Sequence, residues 1–241
     1  MGQYSTASFE KGLELLGITL SEKQMQQFID YYELLVEWNK VMNLTAITEY
    51  EEVIEKHFID SLASVKVCDY SQIKTVIDIG TGAGFPGIPL KIAFPNIEVV
   101  LLDSLNKRIK FLNEVITKLG LENIRTIHGR AEDFAKQKEY RENFDLCVSR
   151  AVANLSTLSE YCLPYVKTGG KFVPYKSGKI DEELSQAKKA VSVLGGKITD
   201  VVKFQLGDTD MERSFVVIEK EKNTPKKYPR KAGLPGKEPI Q

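Results

Sequence analysis

Residues 76–90 read VIDIGTGAGFPGIPL, and this stretch decides the fold. An apolar run ends in an acid, Asp78. Four glycines then follow within eight residues (Gly80, Gly82, Gly84 and Gly87), with Pro86 and Pro89 close by. Glycine tolerates positive φ and lets a ligand approach the backbone. Pro86 suits the first turn of a helix opening at about Phe85, where its missing N–H costs nothing. A strand, a glycine loop and a helix in this order form the mouth of a doubly wound α/β sheet, where such folds bind ligands. Three occupants compete for the loop: a phosphate, a dinucleotide, or a ligand with no phosphate.

The flanking sequence supports that sheet. KTVIDIG, IEVVLLDS, NIRTIHG, FDLCVSR and GGKFVPYK are short apolar runs bounded by Gly, Asp or Asn, and helical patterns such as NKRIKFLNEVITKLG separate them. Alternating strands and helices predict parallel βαβ units buried on both faces. GGKITDVVKFQL and ERSFVVIEKEK have only a polar loop between them and predict an antiparallel pair at the sheet edge, making seven strands. Upstream, Ser21 is placed to cap a helix whose apolar face is Phe28, Tyr31, Tyr32, Leu35 and Trp38. Thr48 is placed to cap a second, with Val53, Ile54, Phe58 and Leu62 inward. Residues 1–70 therefore read as a helical cap, 71–221 as the α/β domain, and 222–241 as a Pro/Gly-rich tail that is extended rather than helical.

At 241 residues, 42% hydrophobic and 27% charged, the composition is that of an ordinary globular protein. There is no apolar run of membrane-spanning length and no secretory h-region. Met1-Gly2-Gln3-Tyr4-Ser5-Thr6 matches the loose N-myristoylation pattern, which is too short to be specific. Three cysteines (Cys68, Cys147 and Cys162), with no CxxC, point to a reducing cytoplasm and away from a zinc site or a disulfide framework. Charge is uneven. Residues 1–72 carry 5 basic and 12 acidic side chains, whereas residues 220–241 carry 7 basic and 2 acidic. A basic arm of this kind meets an anion such as nucleic acid, or is simply solvated.

The loop is not a Walker A sequence, because no Lys-Ser or Lys-Thr follows it. Residues 82–87 do fit GxGxxG, and Asp103 ends the second strand about twenty residues on, as a dinucleotide site requires. Two features favour S-adenosyl-L-methionine instead. Asp78 directly before the glycines suits a cationic amine and sits poorly beside a pyrophosphate. GRAED, after the third strand, brings Glu132 and Asp133 to the rim, where an acid accepts from the adenine amine. Asp103 would take ribose hydroxyls in either case. The Asp/Asn-Pro-Pro-Tyr/Phe motif of exocyclic-amine methyltransferases is replaced by SRAVAN, and Cys147 reads as core rather than nucleophile. An NAD-type oxidoreductase and a non-catalytic RNA-binding protein remain the alternatives.

Seven segments in order, WNKVMNLTAIT, HFIDSL, DIGTGAGFPGIPL, LLDSLNKRIKFL, GRAED, SRAV and NTPKKYPRKAGLPGKEPI, span almost the whole chain. In them the sequence resembles the bacterial small-subunit ribosomal RNA guanine-N7 methyltransferases, the glucose-inhibited division protein B family. The resemblance implies a class I S-adenosylmethionine-dependent methyltransferase fold, Rossmann-like, with a mostly parallel seven-stranded sheet and an N-terminal helical cap. It implies methyl transfer to N7 of guanine 527 of 16S rRNA in the small subunit or its precursor. It also implies that Gly80, Phe85, Ala131, Glu132 and Arg150 contact the cofactor. Position at the strand ends adds Asp78, Gly82, Gly84, Asp103 and Ser104. Arg150, Lys176 and Arg130 are the candidate catalytic cations at the rim. Lys107, Arg130, Lys226, Lys227, Arg230 and Lys231 are the candidate RNA contacts, Tyr228 offering a stacking surface among the last four. Asn43, His57 and Asp60 lie in the helical part, where His57 and Asp60 share a helix face; His128 reads as structural. The acidic helical part is not expected to lie on RNA. No heptad pattern or large exposed apolar stripe asks for a partner subunit, so a monomer is expected.

Overall fold

Short apolar runs, almost continuously buried in the central strands, assemble into one sheet in the computed structural model, which describes residues 4–207 and 209–241. The start of the myristoylation pattern lies outside the described residues. The strands are β1 (Thr75–Ile79), β2 (Glu98–Asp103), β3 (Ile124–His128), β4 (Phe144–Arg150), β5 (Val166–Ser177), β6 (Gly196–Gln205) and β7 (Glu212–Lys220). Their order is β3-β2-β1-β4-β5-β7-β6. β1 to β5 pair in parallel, and β7 runs antiparallel to both neighbours. The parallel sheet with its antiparallel edge pair is the one the sequence pattern led to, and it is the class I methyltransferase architecture that the resemblance implies.

Because successive side chains point to opposite faces, the sheet has two apolar surfaces. Val76, Val99, Leu101, Leu146, Val148 and Val173 belong to one core; Ile77, Val100, Leu102, Cys147 and Phe172 belong to the other. The first face is covered by α1 (Ala7–Leu15), α2 (Glu22–Met42), α5 (Gly87–Ala93) and α6 (Asn106–Lys118), and the helical part shares its core with the sheet. The second is covered by α8 (Leu155–Cys162) and α9 (Asp181–Val193). Cys147 is fully buried there, as expected of a core residue.

Ser21 caps α2 with a full capping box, its side chain accepting from the Gln24 amide. The second helical stretch departs from expectation. Its cap position is Glu49, not Thr48, and no side chain caps it. It starts as α3 (Tyr50–Val53), widens into a π-helix at Ile54–Ile59, and resumes as α4 (Asp60–Leu62). Val53, Ile54, Phe58 and Leu62 are buried as their spacing predicts. The helix after the glycine loop begins at Gly87, two residues later than expected, with Pro86 in the cap position. α7 (Ala131–Phe134) follows β3.

The tail is also corrected. It is neither free nor wholly extended: it folds back on the α/β core and ends in a short helix, α10 (Leu234–Lys237). Proline rigidity excludes a long helix but permits this single turn, because Pro235 falls in its first turn.

An aromatic cluster joins the helical part to the glycine loop. Phe9 meets Phe28 at 4.8 Å, Phe28 meets Phe58 at 5.0 Å, Tyr31 meets Phe58 at 5.6 Å, and Tyr31 meets Phe85 at 5.3 Å between ring centroids. Phe58 is central and fully packed. Phe58→Ala should lower the unfolding free energy in urea by about 3–5 kcal/mol. A loss below about 1 kcal/mol, the range of a surface change, would mean that the cluster does not knit the two parts together.

Candidate active site

The four glycines do different work. Gly80, Gly82 and Gly84 all have positive φ (71°, 63° and 98°). A Cβ on Gly84 would meet Ile88 at 2.6 Å and the Tyr31 hydroxyl at 2.7 Å, so that glycine serves packing against α2. A Cβ on Gly87 would press on Leu101 and lie 3.0 Å from the Asp78 carboxylate. At Gly80 the obstacle is Val152, from the loop after β4. At Gly82 nothing lies nearer than 4.0 Å, so the space beside its Cα is open, although its amide is taken by Asp103.

Asp78 lies beneath this loop, fully buried. Its Oδ2 accepts from the Thr81 hydroxyl (2.6 Å) and the Gly87 amide (2.9 Å). Its Oδ1 is buried without a partner. Burial lifts the carboxyl to about 7, against the lowering effect of those two hydrogen bonds and of the Arg150 charge. Asp103 is likewise committed: Oδ2 accepts from the Gly82 amide (2.9 Å) and from Arg108 (3.2 Å), and Oδ1 from the Leu105 amide (2.9 Å).

Beside the loop lies a cavity of about 460 Å³. Gly80, Leu102, Ser104, Arg130, Ala131 and Glu132 line it, with Val152 and Tyr161 opposite. Volume alone would choose a groove of about 1030 Å³ between Gly17, Cys68, Phe94 and Glu219. That groove lies at the other end of the strands, away from the carboxyl ends where such sheets bind ligands. Ala131 is fixed by the buried Tyr165 hydroxyl, which donates to its carbonyl (2.6 Å). Glu132 Oε1 accepts from the Gly233 amide (2.7 Å).

Three carboxylates thus stand at the ends of β1 and β2 and after β3, with Arg130 the cation lining the cavity. Of the three, Glu132 lines the cavity, while Asp78 and Asp103 lie buried at the strand ends beside it. The unpartnered Asp78 oxygen fits the amine end of S-adenosyl-L-methionine. The apolar Leu102 and Ala131 fit its adenine.

The remaining candidates lie elsewhere. Asp133 is exposed and does not line the cavity. Phe85 is buried between Tyr31 and His57, whose ring stacks on it at 4.5 Å. Arg150 lies over Phe85 (5.1 Å) and donates to Asp60 Oδ2 (2.8 Å), the Lys56 carbonyl (3.0 Å) and His57 Nδ1 (3.2 Å). Burial, reinforced by Arg150, pushes His57 down to about 3, so the imidazole is neutral and its Nε2–H donates to Thr45 (2.9 Å). Lys176 donates to Glu183 and to the Ala153 carbonyl (both 2.7 Å), which pins the loop after β4. Lys107 donates to the Met42 carbonyl at the end of α2 (3.1 Å).

Arg230, read from the sequence as an RNA contact, is instead taken up inside the protein by Glu160. Lys226, Lys227 and Lys231 are exposed, and Lys227 lies over the Tyr228 ring. His128 donates to the Ser104 carbonyl. Arg213 carried no sequence signal, yet its Nε donates to Asp60 Oδ1 (3.0 Å), so one buried carboxylate holds two arginines from separate strands.

A family model described as rRNA small subunit methyltransferase G matches residues 24–215. The chain belongs to that family. It is 58% identical over 234 residues to the Ribosomal RNA small subunit methyltransferase G of Lachnoclostridium phytofermentans, covering 97% of each chain. It is 51% identical over 238 residues to the protein of that name from Exiguobacterium sibiricum, covering 99% of this chain and 98% of the other. Among solved structures, M. jannaschii TYW2 in complex with AdoMet superposes with a TM-score of 0.55 at 16% identity, over 73% of this chain and 79% of that one. That likeness extends to the fold. Membership of a methyltransferase family removes the oxidoreductase and non-catalytic alternatives.

The position of Asp78 has a measurable consequence. A carboxyl raised from its ordinary value to about 7 favours folding fully only below its unfolded pKa, and that contribution is lost as pH rises through 7. Between about pH 4 and 7 the wild type should lose roughly 4 kcal/mol relative to Asp78→Asn, at 1.36 kcal/mol per unit, with no further change above. Parallel pH profiles for the two proteins in urea unfolding would overturn this assignment.

Proposed function

We propose that this chain binds S-adenosyl-L-methionine in the cavity beside the glycine loop and transfers its methyl group to N7 of guanine 527 of 16S rRNA. The substrate is the small subunit or its precursor in the bacterial cytoplasm, and the protein acts as a monomer. The observation that carries this reading is the cavity beside the glycine loop, lined by Glu132 and flanked by the buried Asp78 and Asp103, in a member of an rRNA methyltransferase family. Among the described residues no helix is long and apolar enough to cross a membrane, which suits such a substrate.

The bound sulfonium supplies an electrophilic methyl group. The acceptor, guanine N7, is a lone pair with no proton. No residue need remove one, and this agrees with a buried histidine held neutral and tied to Arg150 and Thr45. The protein's task is alignment, an effect worth about 7–11 kcal/mol where geometry is good. Asp78 and Asp103 fix the glycine loop from below. Glu132 offers an acceptor to the adenine amine.

Arg150 and Lys176 are positioning residues. Arg150 ties the end of β4 to the helical part, and Lys176 holds the Ala153 carbonyl, so together they shape the loop that the base must pass. Arg130, exposed and lining the cavity, is the cation available to substrate. Lys226, Lys227 and Lys231 supply phosphate contacts from the tail.

Incubation with radiolabelled S-adenosyl-L-methionine and small-subunit RNA, naked and assembled, followed by borohydride reduction and aniline cleavage, should give one cut at the expected guanine. Label without a cut would reject N7 as the acceptor; absence of label on both substrates would reject the transferase reading. Replacing Lys226, Lys227 and Lys231 together by alanine should flatten the slope of log affinity against log salt by about 2, at about 0.7 per single-strand phosphate. An unchanged slope would remove the tail from the RNA interface.

A further inference from the structure

Composition presents residues 222–241 as a basic arm, yet Thr224, Arg230 and several backbone groups of the segment are bonded to the α/β core. Arg141 donates to the Tyr228 carbonyl (3.0 Å) and the Thr224 carbonyl (2.7 Å), and the Thr224 hydroxyl donates to the Leu194 carbonyl (2.8 Å). Glu160 of α8 is a buried carboxylate, 1% exposed. Arg230 surrounds it: the backbone amide donates to Oε1 (2.7 Å), Nε to both oxygens (3.0 and 3.1 Å), and Nη2 to Oε2 (2.6 Å). Arg230 Nη2 also donates to the Glu238 carbonyl (2.8 Å), which closes the tail on itself.

Three residues on, the Gly233 amide donates to Glu132 in the cavity. Gly233 has φ +82°, a conformation that glycine adopts without strain. The Thr157 hydroxyl of α8 then donates to the Pro235 carbonyl (3.1 Å), and Gly236 lines the cavity beside Thr157, Tyr161 and Glu132.

We propose that residues 230–236 form a built wall of the cofactor pocket, clasped by the Arg230–Glu160 pair, and that Arg230 is a positioning residue for Glu132. The inference rests on the S-adenosyl-L-methionine reading of that cavity. Arg230 does not line the cavity. It fixes the chain so that the Gly233 amide orients the Glu132 carboxylate and Gly236 closes the side of the pocket against α8. An amide hydrogen bond to a carboxylate is charge-assisted and directional, so releasing the clasp leaves Glu132 without the donor that aims it. Coupling of this kind is reciprocal: if the tail helps to hold the ligand, the ligand must help to hold the tail.

Amide hydrogen exchange of the full-length wild-type protein, with and without saturating S-adenosyl-L-homocysteine, tests this without a folding risk. Peptides covering residues 228–236 should exchange about tenfold more slowly with ligand, alongside peptides covering the glycine loop. Protection of the glycine loop with no change in the tail would overturn the clasp and leave the cofactor reading standing. Absence of protection in both would overturn the cofactor reading, and the clasp with it.

Calorimetric titration of the same ligand into variants gives a second readout. Arg230→Gln should weaken binding about tenfold, and Arg230→Lys should recover part of that loss, because an ammonium neutralises Glu160 but cannot span both oxygens. Unchanged affinity in Arg230→Gln would contradict the proposal, because a merely structural pair would move the melting temperature and not the dissociation constant.

Discussion

The carboxylate of Asp78 fastens both ends of the glycine loop to the end of β1. One oxygen holds the Thr81 hydroxyl near the loop's start and the Gly87 amide where α5 begins. Without that anchor, three positive-φ glycines in a short loop would have little reason to hold one conformation, since glycine loses the most backbone entropy on folding. The cost is a charge in the sheet interior, which the protein reduces by raising the carboxyl toward neutrality. The second oxygen, left without a partner, marks where the interior is incomplete. A buried polar group in that state calls for a donor, and a cationic ligand on the loop is the natural one.

From this anchor the site is braced on two sides. Tyr31 of α2 donates to the Ala83 carbonyl and packs on Phe85, so the helical part touches the loop directly. Arg150 and Arg213 meet on Asp60, which joins β4 and β7 to the π-helical turn. Removing either arginine would leave a buried carboxylate partly uncompensated, the situation that makes buried ion pairs costly to break. The helical segment is therefore a second layer of the site, and its share of the core runs without interruption into the sheet.

Charge is arranged with the same economy. The interior around the cavity is acidic, while the exposed lysines of the tail and Arg130 face outward. Under the proposed function a cationic ligand would be drawn in, and an RNA backbone would meet positive charge outside. The tail takes part in both, since Arg230 turns inward to Glu160 and Lys226, Lys227 and Lys231 turn to solvent. Opposite orientations of similar residues within six positions of one another follow from backbone direction, which composition does not record.

The sequence by itself determined the sheet, its parallel pairing up to β5, the antiparallel edge pair, the capping of α2 and the position of the glycine loop. All of these follow from short-range rules: short apolar runs bounded by turn residues, helical spacing, capping and the φ demands of glycine and proline. The same rules marked Asp78, Asp103 and Glu132, because the fold places the carboxyl ends of its strands on one rim. Tertiary structure alone decided which oxygens are already spent, that Phe85 and Arg150 belong to a cluster with His57 and Asp60, that Arg213 joins them, and that the basic tail walls the cavity. The π-helical turn, too, had no signature in HFIDSL. The joining of Arg150 and Arg213 on Asp60 and the folding of the tail onto Glu160 and Glu132 depend on contacts between residues some 70 to 150 positions apart. Pairings at that range are set by how the packed layers close on one another, and no local pattern encodes them.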